Sequence, residues 1–302
     1  MSVLVIGLAN DPVIKNVLSA LSRVDADVIH WTPRNLLNDC AFTVVNGEIE
    51  GYLLVDDRTV SLSEITGVFN RFSNIEITPE YNKLSPNDPV AEHAITANGR
   101  LIQLCDIASC VVMNRSTSND ANSAKVYQAQ LISPYFFVPD TRIANTPEAA
   151  MEFSENCEKV IFKSCSGERS IVTELDLADL LKKTESLRLC PVQFQEFIDG
   201  TDVRVHVVDE ATFATSVFSS STDYRYDKSA KWVSTEISPE VASACVQMAH
   251  AMDLRLAGID LKFAIDGRVV CFEVNPSPAF SVYEDATGQR ISDTVVMSLL
   301  GS

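Results

Sequence analysis

The 302-residue sequence is poor in the residues that build metal and redox centres. Histidine occurs four times, at 30, 93, 206 and 250, with no HxxxH spacing, and none of the eight cysteines falls in a CxxC pair. Structural zinc sites draw on such spacings, so zinc is set aside. Basic residues are also scarce. There are 24 Lys+Arg against 41 Asp+Glu, a net charge of -17. A surface of that sign repels phosphate backbones, which argues against nucleic acid and anionic membranes as partners. No apolar run approaches the roughly 20 residues that span a bilayer. The opening MSVLVIGLANDP lacks a basic segment and a cleavage site, so it reads as a strand and not as a signal peptide. The thiols are expected to be reduced and mostly buried, in a cytoplasmic protein.

What is present suits a folded chain. Hydrophobic residues make up 46% and charged residues 22%, enough for a sizeable core. At about 150 residues per domain the length suggests roughly two domains. The opening third alternates strand and helix. Val3 to Leu8 is a short apolar run typical of a buried parallel strand, and Val13, Ile14, Val17, Leu18, Leu21 and Val24 recur at helical spacing. Asp27–Trp31 reads as a second strand, FTVVNGEIEGYLLV as a hairpin turning at Asn46-Gly47, and GVFNRF as another strand. A long helix is expected from Val90 to Ala108, then a strand at CVVMN.

RSTSNDANS reads as a loop or boundary. After it come a helix at Lys125–Ile132, an extended VPDTRIAN, a short helix at PEAAMEFSEN, a strand at KVIFKS, a helix over 176–186 and a strand at PVQFQEFI. From Asp202 the pattern is antiparallel β, with Val203, Val205 and Val207 on one face and Asp202, Arg204 and His206 on the other. His206 reads as a polar-face residue without chemistry. SSSTDYRYDKSAKWVST is polar and irregular, a candidate loop, and Ser238 with Pro239 should begin a helix. The plan is α/β first, then α+β.

The most informative segment is AGIDLKFAIDGRVVCFEVNPSP. A two-residue turn at Asp266-Gly267 would pair Ile265 with Arg268, Lys262 with Cys271, and Asp260 with Glu273. Asn275 would lie one pleat further along the same face. Directly opposed residues have Cβ atoms about 4.5–5.5 Å apart, where two like charges destabilise each other. A divalent cation relieves the conflict, and two carboxylates with an amide oxygen, completed by phosphates and water, form the donor set expected of magnesium. A solvated hairpin end with screened repulsion, or one protonated carboxyl, relieves it too. A turn of three to five residues would shift every pairing.

GIDLKF followed by CFEVNPSP resembles the metal-binding end of ATP-grasp ligases, and most nearly RimK-like enzymes and the graspetide (microviridin-type) peptide maturases. The ordered motifs cover roughly residues 110–302. Before them the likeness is limited to the α/β alternation and Arg71 in FNRF. The resemblance implies an N-terminal α/β domain over 1–113, followed by an α+β ATP-grasp fold. That fold would have a central subdomain over 114–190 and a C-terminal subdomain over 191–302 carrying the hairpin.

Carried over by position, Asp260, Glu273 and Asn275 would be the metal ligands. Lys125 and Lys163 would reach the nucleotide phosphates. Gln195, Glu196, Phe197 and Ile198 would hold the adenine, Asp202 would lie near the ribose, and Arg204 near the reacting acyl phosphate. Arg225, with Tyr224, resembles a loop that contacts substrate. ATP and Mg2+ are the implied cofactors, with a peptide or a small carboxylate and amine as substrates. The implied reaction forms an amide or ester through an acyl phosphate, releasing ADP and phosphate. Related ligases often self-associate, which leaves a homo-oligomer open.

Taken singly, Lys125 reads as a solvated helix lysine and Arg204 as a partner of Asp202 or Glu196. Their order along the chain is what favours the site. A module that binds nucleotide to sense or scaffold could lose the metal ligands or Arg204, and both are kept. One departure concerns the phosphate loop, usually glycine-rich in this family. Its candidate SCSGERS has one glycine, Gly167, with Ser166 and Arg169 beside it.

Overall fold

The opening apolar run forms β1 (Ser2–Ile6), and all five of its residues are buried. The computed structural model of the chain describes residues 2–119, 125–165, 172–182, 184–219 and 230–301. After β1 come α1 (Pro12–Arg23) and β2 (Asp27–Trp31). Asp11 caps α1, accepting from the Val13 N–H at 2.8 Å, with Pro12 at the first position. An antiparallel meander follows, β3 (Asp39–Val45), β4 (Glu48–Val55) and β5 (Arg58–Ser61), then β6 (Ile65–Asn70), α2 (Pro89–Ile107) and β7 (Val111–Met113).

Strands β2-β1-β6-β7 form a parallel sheet in that order. Its faces alternate residue by residue. Val3 and Val5 pack with α1 and the C-terminal helix α10 (Ile291–Leu300), while Leu4 and Ile6 pack with α2 and the meander. Burial on both faces is why β1 reads as an unbroken apolar run. The hairpin turns at Asn46-Gly47 as expected, with Val45 opposite Glu48. β5 was not expected. It follows a second two-residue turn, Asp56-Asp57, whose residues both take positive φ, a signal weaker than Asn-Gly.

The next stretch holds α3 (Ser116–Asn119), α4 (Lys125–Ile132), β8 (Thr141–Ala144), α5 (Pro147–Ser154), β9 (Val160–Ser164), β10 (Thr173–Glu174), α6 (Leu177–Lys182), α7 (Thr184–Leu189) and β11 (Val192–Glu196). One expectation changes here. The first residues of RSTSNDANS form α3, since Asp106 accepts from the Ser116 N–H at 2.7 Å and satisfies the new helix start. The stretch expected as a helix over 176–186 is helical at Leu177–Lys182 and at Thr184–Leu189, with residue 183 outside the described residues. The strands pair antiparallel in the order β10-β9-β11-β8. β11 therefore hydrogen-bonds with the strands before residue 190, so the expected division at 190/191 cuts through the connectivity of this sheet.

The last stretch comprises β12 (Gly200–Val208), β13 (Ala211–Phe218), β14 (Lys231–Thr235), α8 (Pro239–Ala251), β15 (Leu256–Ala264), β16 (Val269–Asn275), α9 (Ser281–Thr287) and α10. The antiparallel sheet runs β14-β13-β12-β15-β16. β14 lies within the stretch expected to be a loop. Its pairing with β13, Trp232 opposite Val217, supplies a ladder that no local periodicity announces. Val203, Val205 and Val207 enter the core with Cys245, Met248 and Ala249 of α8. The opposite face is left to Asp202, Arg204, His206, Asp260 and Lys262, which pair across β12 and β15.

Two side chains tie the parallel sheet to this one. Asn114 receives the N–H groups of Arg255 and Leu256 and donates to the carbonyls of Leu256 and Pro276. Arg71 donates to Asp11 at 2.7 Å and to the Ser277 hydroxyl at 3.0 Å, just beyond Asn275.

Candidate active site

The hairpin brings Asp260 opposite Glu273, by a route the sequence hides. The Ala264 N–H donates to the Arg268 carbonyl at 2.9 Å and the Gly267 N–H to the Ala264 carbonyl at 3.0 Å. The loop therefore has three residues, Ile265 to Gly267, and Gly267 takes the left-handed conformation (φ 89°) that such loops require. This corrects the expected Ile265–Arg268 and Lys262–Cys271 pairs. Lys262 faces Val270, and Leu261 faces Cys271. A bulge between Asp260 and Leu261, with Phe272 as the extra residue, shifts the ladder back by one and restores Asp260 opposite Glu273 and Gly258 opposite Asn275. The same bulge turns Cys271 into the core, fully buried.

The charge conflict between the two carboxylates is relieved by the protein's own cations. Arg204, on the neighbouring strand, donates from Nη1 to Asp260 Oδ1 at 2.5 Å, with its side chain 8% exposed. Lys125, the first residue of α4, places Nζ 2.7 Å from Glu273 Oε2. Between the carboxylates lies the Asn275 amide. Its Nδ2 is 3.2 Å from Glu273 Oε1 and 3.5 Å from Asp260 Oδ2. Burial pushes the Glu273 carboxyl up, but the Lys125 ammonium, then Lys163 and the Asn275 amide, outweigh it and hold the group at about 2. The dication inferred from like-charge repulsion alone is thus not required for the two carboxylates to coexist.

Lys163 stands on β9 opposite Gln193 of β11, and Gln195 lies two residues on, on the same face. Phe162 and Phe194 occupy the other face, their ring centroids 6.4 Å apart, within the core under α5 to α7. Gln195 Nε2 donates to Thr141 Oγ1 at 3.0 Å, while its buried Oε1 has no hydrogen-bond partner. Gln193 Oε1 is in the same condition. Beyond them, the Glu196 N–H donates to Asp140 O and the Phe197 N–H to Lys159 O. Glu196 accepts from Arg268 at 3.4 Å, and Ile198 is buried. Phe197 lies under Lys159 Nζ, 4.3 Å from the ring centroid, with Lys262 Nζ at 5.9 Å. Asp202 pairs with Lys262 at 3.1 Å, on the face it shares with Arg204. Arg225, Tyr224 and the phosphate-loop candidates Ser166, Gly167 and Arg169 lie outside the described residues.

Sequence reasoning missed three contributors. Gln128, one turn after Lys125, donates to the Val274 carbonyl at 2.8 Å and accepts from its N–H at 3.0 Å. A buried side chain thus docks α4 along β16 like an added strand and aims Lys125 at Glu273. Gly258 leaves room for Arg204, because a Cβ there would lie 2.2 Å from Arg204 Nη2 and 2.7 Å from Pro278 Cβ. A glycine inside a strand is the available signal. Tyr283 of α9 backs Arg204, with Cζ 5.9 Å from its ring centroid, and His206 packs edge-on against the same ring at 4.9 Å. His206 is fully buried and neither ring nitrogen has a hydrogen-bond partner, so burial, then the nearby Arg204 charge, holds it neutral, far below its ordinary pKa.

Among the described residues, no group of three or more His, Cys, Asp or Glu could hold a metal by itself. A cation at the hairpin would rest on two carboxylates and one amide oxygen, the rest of its shell coming from phosphate and water. That hard-oxygen, protein-poor set fits Mg2+ held together with a nucleotide. It needs the Asn275 amide oxygen where the nitrogen now points.

The chain is similar to known ligases. The chain is 27% identical over 206 residues to a probable alpha-L-glutamate ligase of Chromohalobacter salexigens, covering 63% of this chain and 67% of that protein. It is 31% identical over 150 residues to one of Cellvibrio japonicus, covering 45% and 48%. A RiPP-associated ATP-grasp ligase of Chryseobacterium gregarium, solved with ADP and a leader and core peptide, superposes with a TM-score of 0.83 at 20% identity, covering 99% of this chain and 96% of that one. The macrocyclase MdnC of Microcystis aeruginosa, bound to its precursor peptide MdnA, gives 0.80 at 18% identity over both full chains. ATP with Mg2+ is what such ligases use, and no described helix is long and apolar enough to cross a membrane. The family model for the RimK-like ATP-grasp domain matches residues 117–299, and the chain belongs to that family of ligases.

Proposed function

We propose that this ligase activates a carboxylate of a peptide substrate as an acyl phosphate and passes the acyl group to an amine or hydroxyl of the same peptide. The observation that carries the reading is the convergence of Arg204, Lys125 and the Asp260–Glu273–Asn275 triad on one sheet face, with Lys163 close enough to lower the Glu273 pKa. The whole-length likeness to ligases solved with peptides supports a peptide substrate over a free amino acid. The curated alpha-L-glutamate ligases align over only 35% to 72% of their own lengths.

In this reading the substrate carboxylate attacks the γ-phosphate and ADP leaves. The acceptor amine or hydroxyl then attacks the acyl carbon, the bond from that carbon to the phosphate oxygen breaks, and phosphate departs as the acceptor loses its proton to the phosphate or to solvent. Phosphoryl transfer of this kind depends on position and charge neutralisation more than on covalent help from the protein. Lys125 and Lys163 hold phosphate oxygens. Arg204, buried and held by Asp260 and Tyr283, presents its charge where the acyl phosphate collects negative charge. Asp260, Glu273 and Asn275 would hold Mg2+, which would supply charge neutralisation to the phosphates when bound. Gln195 Oε1 and the hinge at Glu196–Ile198 face the base, and Asp202 orients the ribose beside Lys262. Arg225 binds a substrate carboxylate.

We read the chain as an N-terminal α/β unit and two ATP-grasp subdomains, with β11 counted in the central one. Eight unpaired thiols support a reducing, cytoplasmic setting, and the net charge of -17 supports the absence of nucleic-acid and anionic-membrane partners. Acidic peptides carrying lysine, serine or threonine, incubated with the protein, ATP and Mg2+, should yield ADP and a product lighter by one water. A product heavier by one amino acid would support the glutamate-ligase alternative. Glu273→Gln should remain folded and abolish ADP release. Normal release by that variant would overturn the assignment.

A further inference from the structure

Every carboxylate oxygen of the Asp260–Glu273 pair is already engaged. Arg204 takes Asp260 Oδ1, Lys125 takes Glu273 Oε2, and the Asn275 amide nitrogen reaches one remaining oxygen on each at 3.5 and 3.2 Å. Two negative charges face the two contacting cations, with the Lys163 charge close by, so the cluster offers no net attraction to a free dication. The amide also presents its donor side where a cation needs an oxygen. The cations are not free to drift away. Lys125 is fixed by the Gln128 dock on β16, and Arg204 lies in the notch over Gly258 against Tyr283.

We infer that Lys125 and Arg204 form an electrostatic latch that excludes the metal until a nucleotide polyphosphate draws them off. The inference rests on the proposed nucleotide site and adds an order of binding to it. A polyphosphate carries more negative charge than either carboxylate, so it is the stronger partner for Lys125 and Arg204. Their transfer to phosphate oxygens leaves Asp260 and Glu273 with uncompensated charge and open lone pairs, and the Asn275 amide loses its reason to donate. Metal and nucleotide therefore bind with positive coupling, each raising the affinity of the other by the same factor. Mg2+ is poorly matched to a pre-occupied site because it gives up water reluctantly.

The latch predicts opposite signs for one substitution. Removing the Lys125 charge should strengthen metal binding by the protein alone while weakening nucleotide binding. Lys125→Met keeps the side-chain length, and Arg204→Met tests the second cation independently. Mn2+ is the probe, counted by electron paramagnetic resonance with and without ADP, and calorimetry follows ADP. The wild-type protein should take up Mn2+ weakly alone and at least about tenfold more tightly with ADP, about 1.4 kcal/mol. Lys125→Met should bind Mn2+ alone about tenfold more tightly than wild type and show less coupling to ADP. Mn2+ should also raise its melting temperature more than it raises that of the wild type, which reports on the variant's folded state directly. Equal Mn2+ affinity in wild type and both Met variants, with ADP–Mn2+ still bound by wild type, would overturn the latch and leave the ligase reading intact. Failure of wild type to bind ADP with Mn2+ at all would overturn both.

Discussion

Lys125→Met also has a consequence for stability that needs no substrate to measure. Lys125 and Glu273 are 18% and 23% exposed, and their contact is 2.7 Å. Glu273 is held at about 2, against an ordinary 4.5. The gap corresponds to about 3 kcal/mol of native-state stabilisation at neutral pH. Because the folded value is depressed, this contribution is complete above pH 4.5 and is lost as the pH falls toward about 2. Without the ammonium, burial is opposed only by Lys163 and the Asn275 amide, so the Glu273 value rises, and the stabilisation lost at pH 7 makes progressively less of a difference as acid protonates the group. Lys125→Met should therefore lose about 3 kcal/mol at pH 7, within the range seen when one partner of a buried pair is removed. The loss should shrink as the pH is lowered. Lys125→Met/Glu273→Gln should recover most of it, since a neutral pair leaves no stranded charge. Urea unfolding of the four proteins in the cycle, from pH 7 to 4, measures this. A Lys125→Met protein as stable as wild type would refute the reasoning. A loss independent of pH would show that the lysine stem, and not its charge, holds α4 in place.

Two further outcomes follow from the geometry. Gly258→Ala places a methyl 2.2 Å from Arg204 Nη2 and 2.7 Å from Pro278 Cβ, so the guanidinium must move by about 1 Å. A misplacement of that size costs about a hundredfold in kcat, while calorimetry should find ADP–Mg2+ affinity little changed. Gln195→Leu removes a buried acceptor that lacks a partner without nucleotide. ATP affinity should fall about tenfold, about 1.4 kcal/mol, whereas the melting temperature without nucleotide should hold or rise. A fall in both would place Gln195 in a structural role.

Much of the fold could be read locally because its signals are local. The apolar β1, the Asp11–Pro12 and Ser238–Pro239 helix starts and the Asn46-Gly47 turn each depend on a few adjacent residues. β14 and β5 escaped because their pairing partners, and not their own composition, make them strands. Among site residues, the structure brings Asp260, Glu273, Asn275, Arg204 and Lys125 into direct contact, and Lys163 close enough to act on Glu273 through its charge. The hairpin is instructive. Asp260 does face Glu273, but the assumed two-residue turn is absent, and a three-residue loop and a bulge cancel. Period-two alternation alone cannot report two compensating single-residue shifts.

The sequence pointed to a nucleotide-using ligase through its resemblance to the ATP-grasp family, because GIDLKF and CFEVNPSP, with the lysines, hinge strand and arginine before them, fall in that family's order. Which cation neutralises which carboxylate was decided only by tertiary structure. Lys125 and Glu273 are 148 residues apart, and their meeting depends on the Gln128 dock, as the Arg204 position depends on the space over Gly258. Contacts of that range are set by how elements pack, and no local pattern of side chains encodes them.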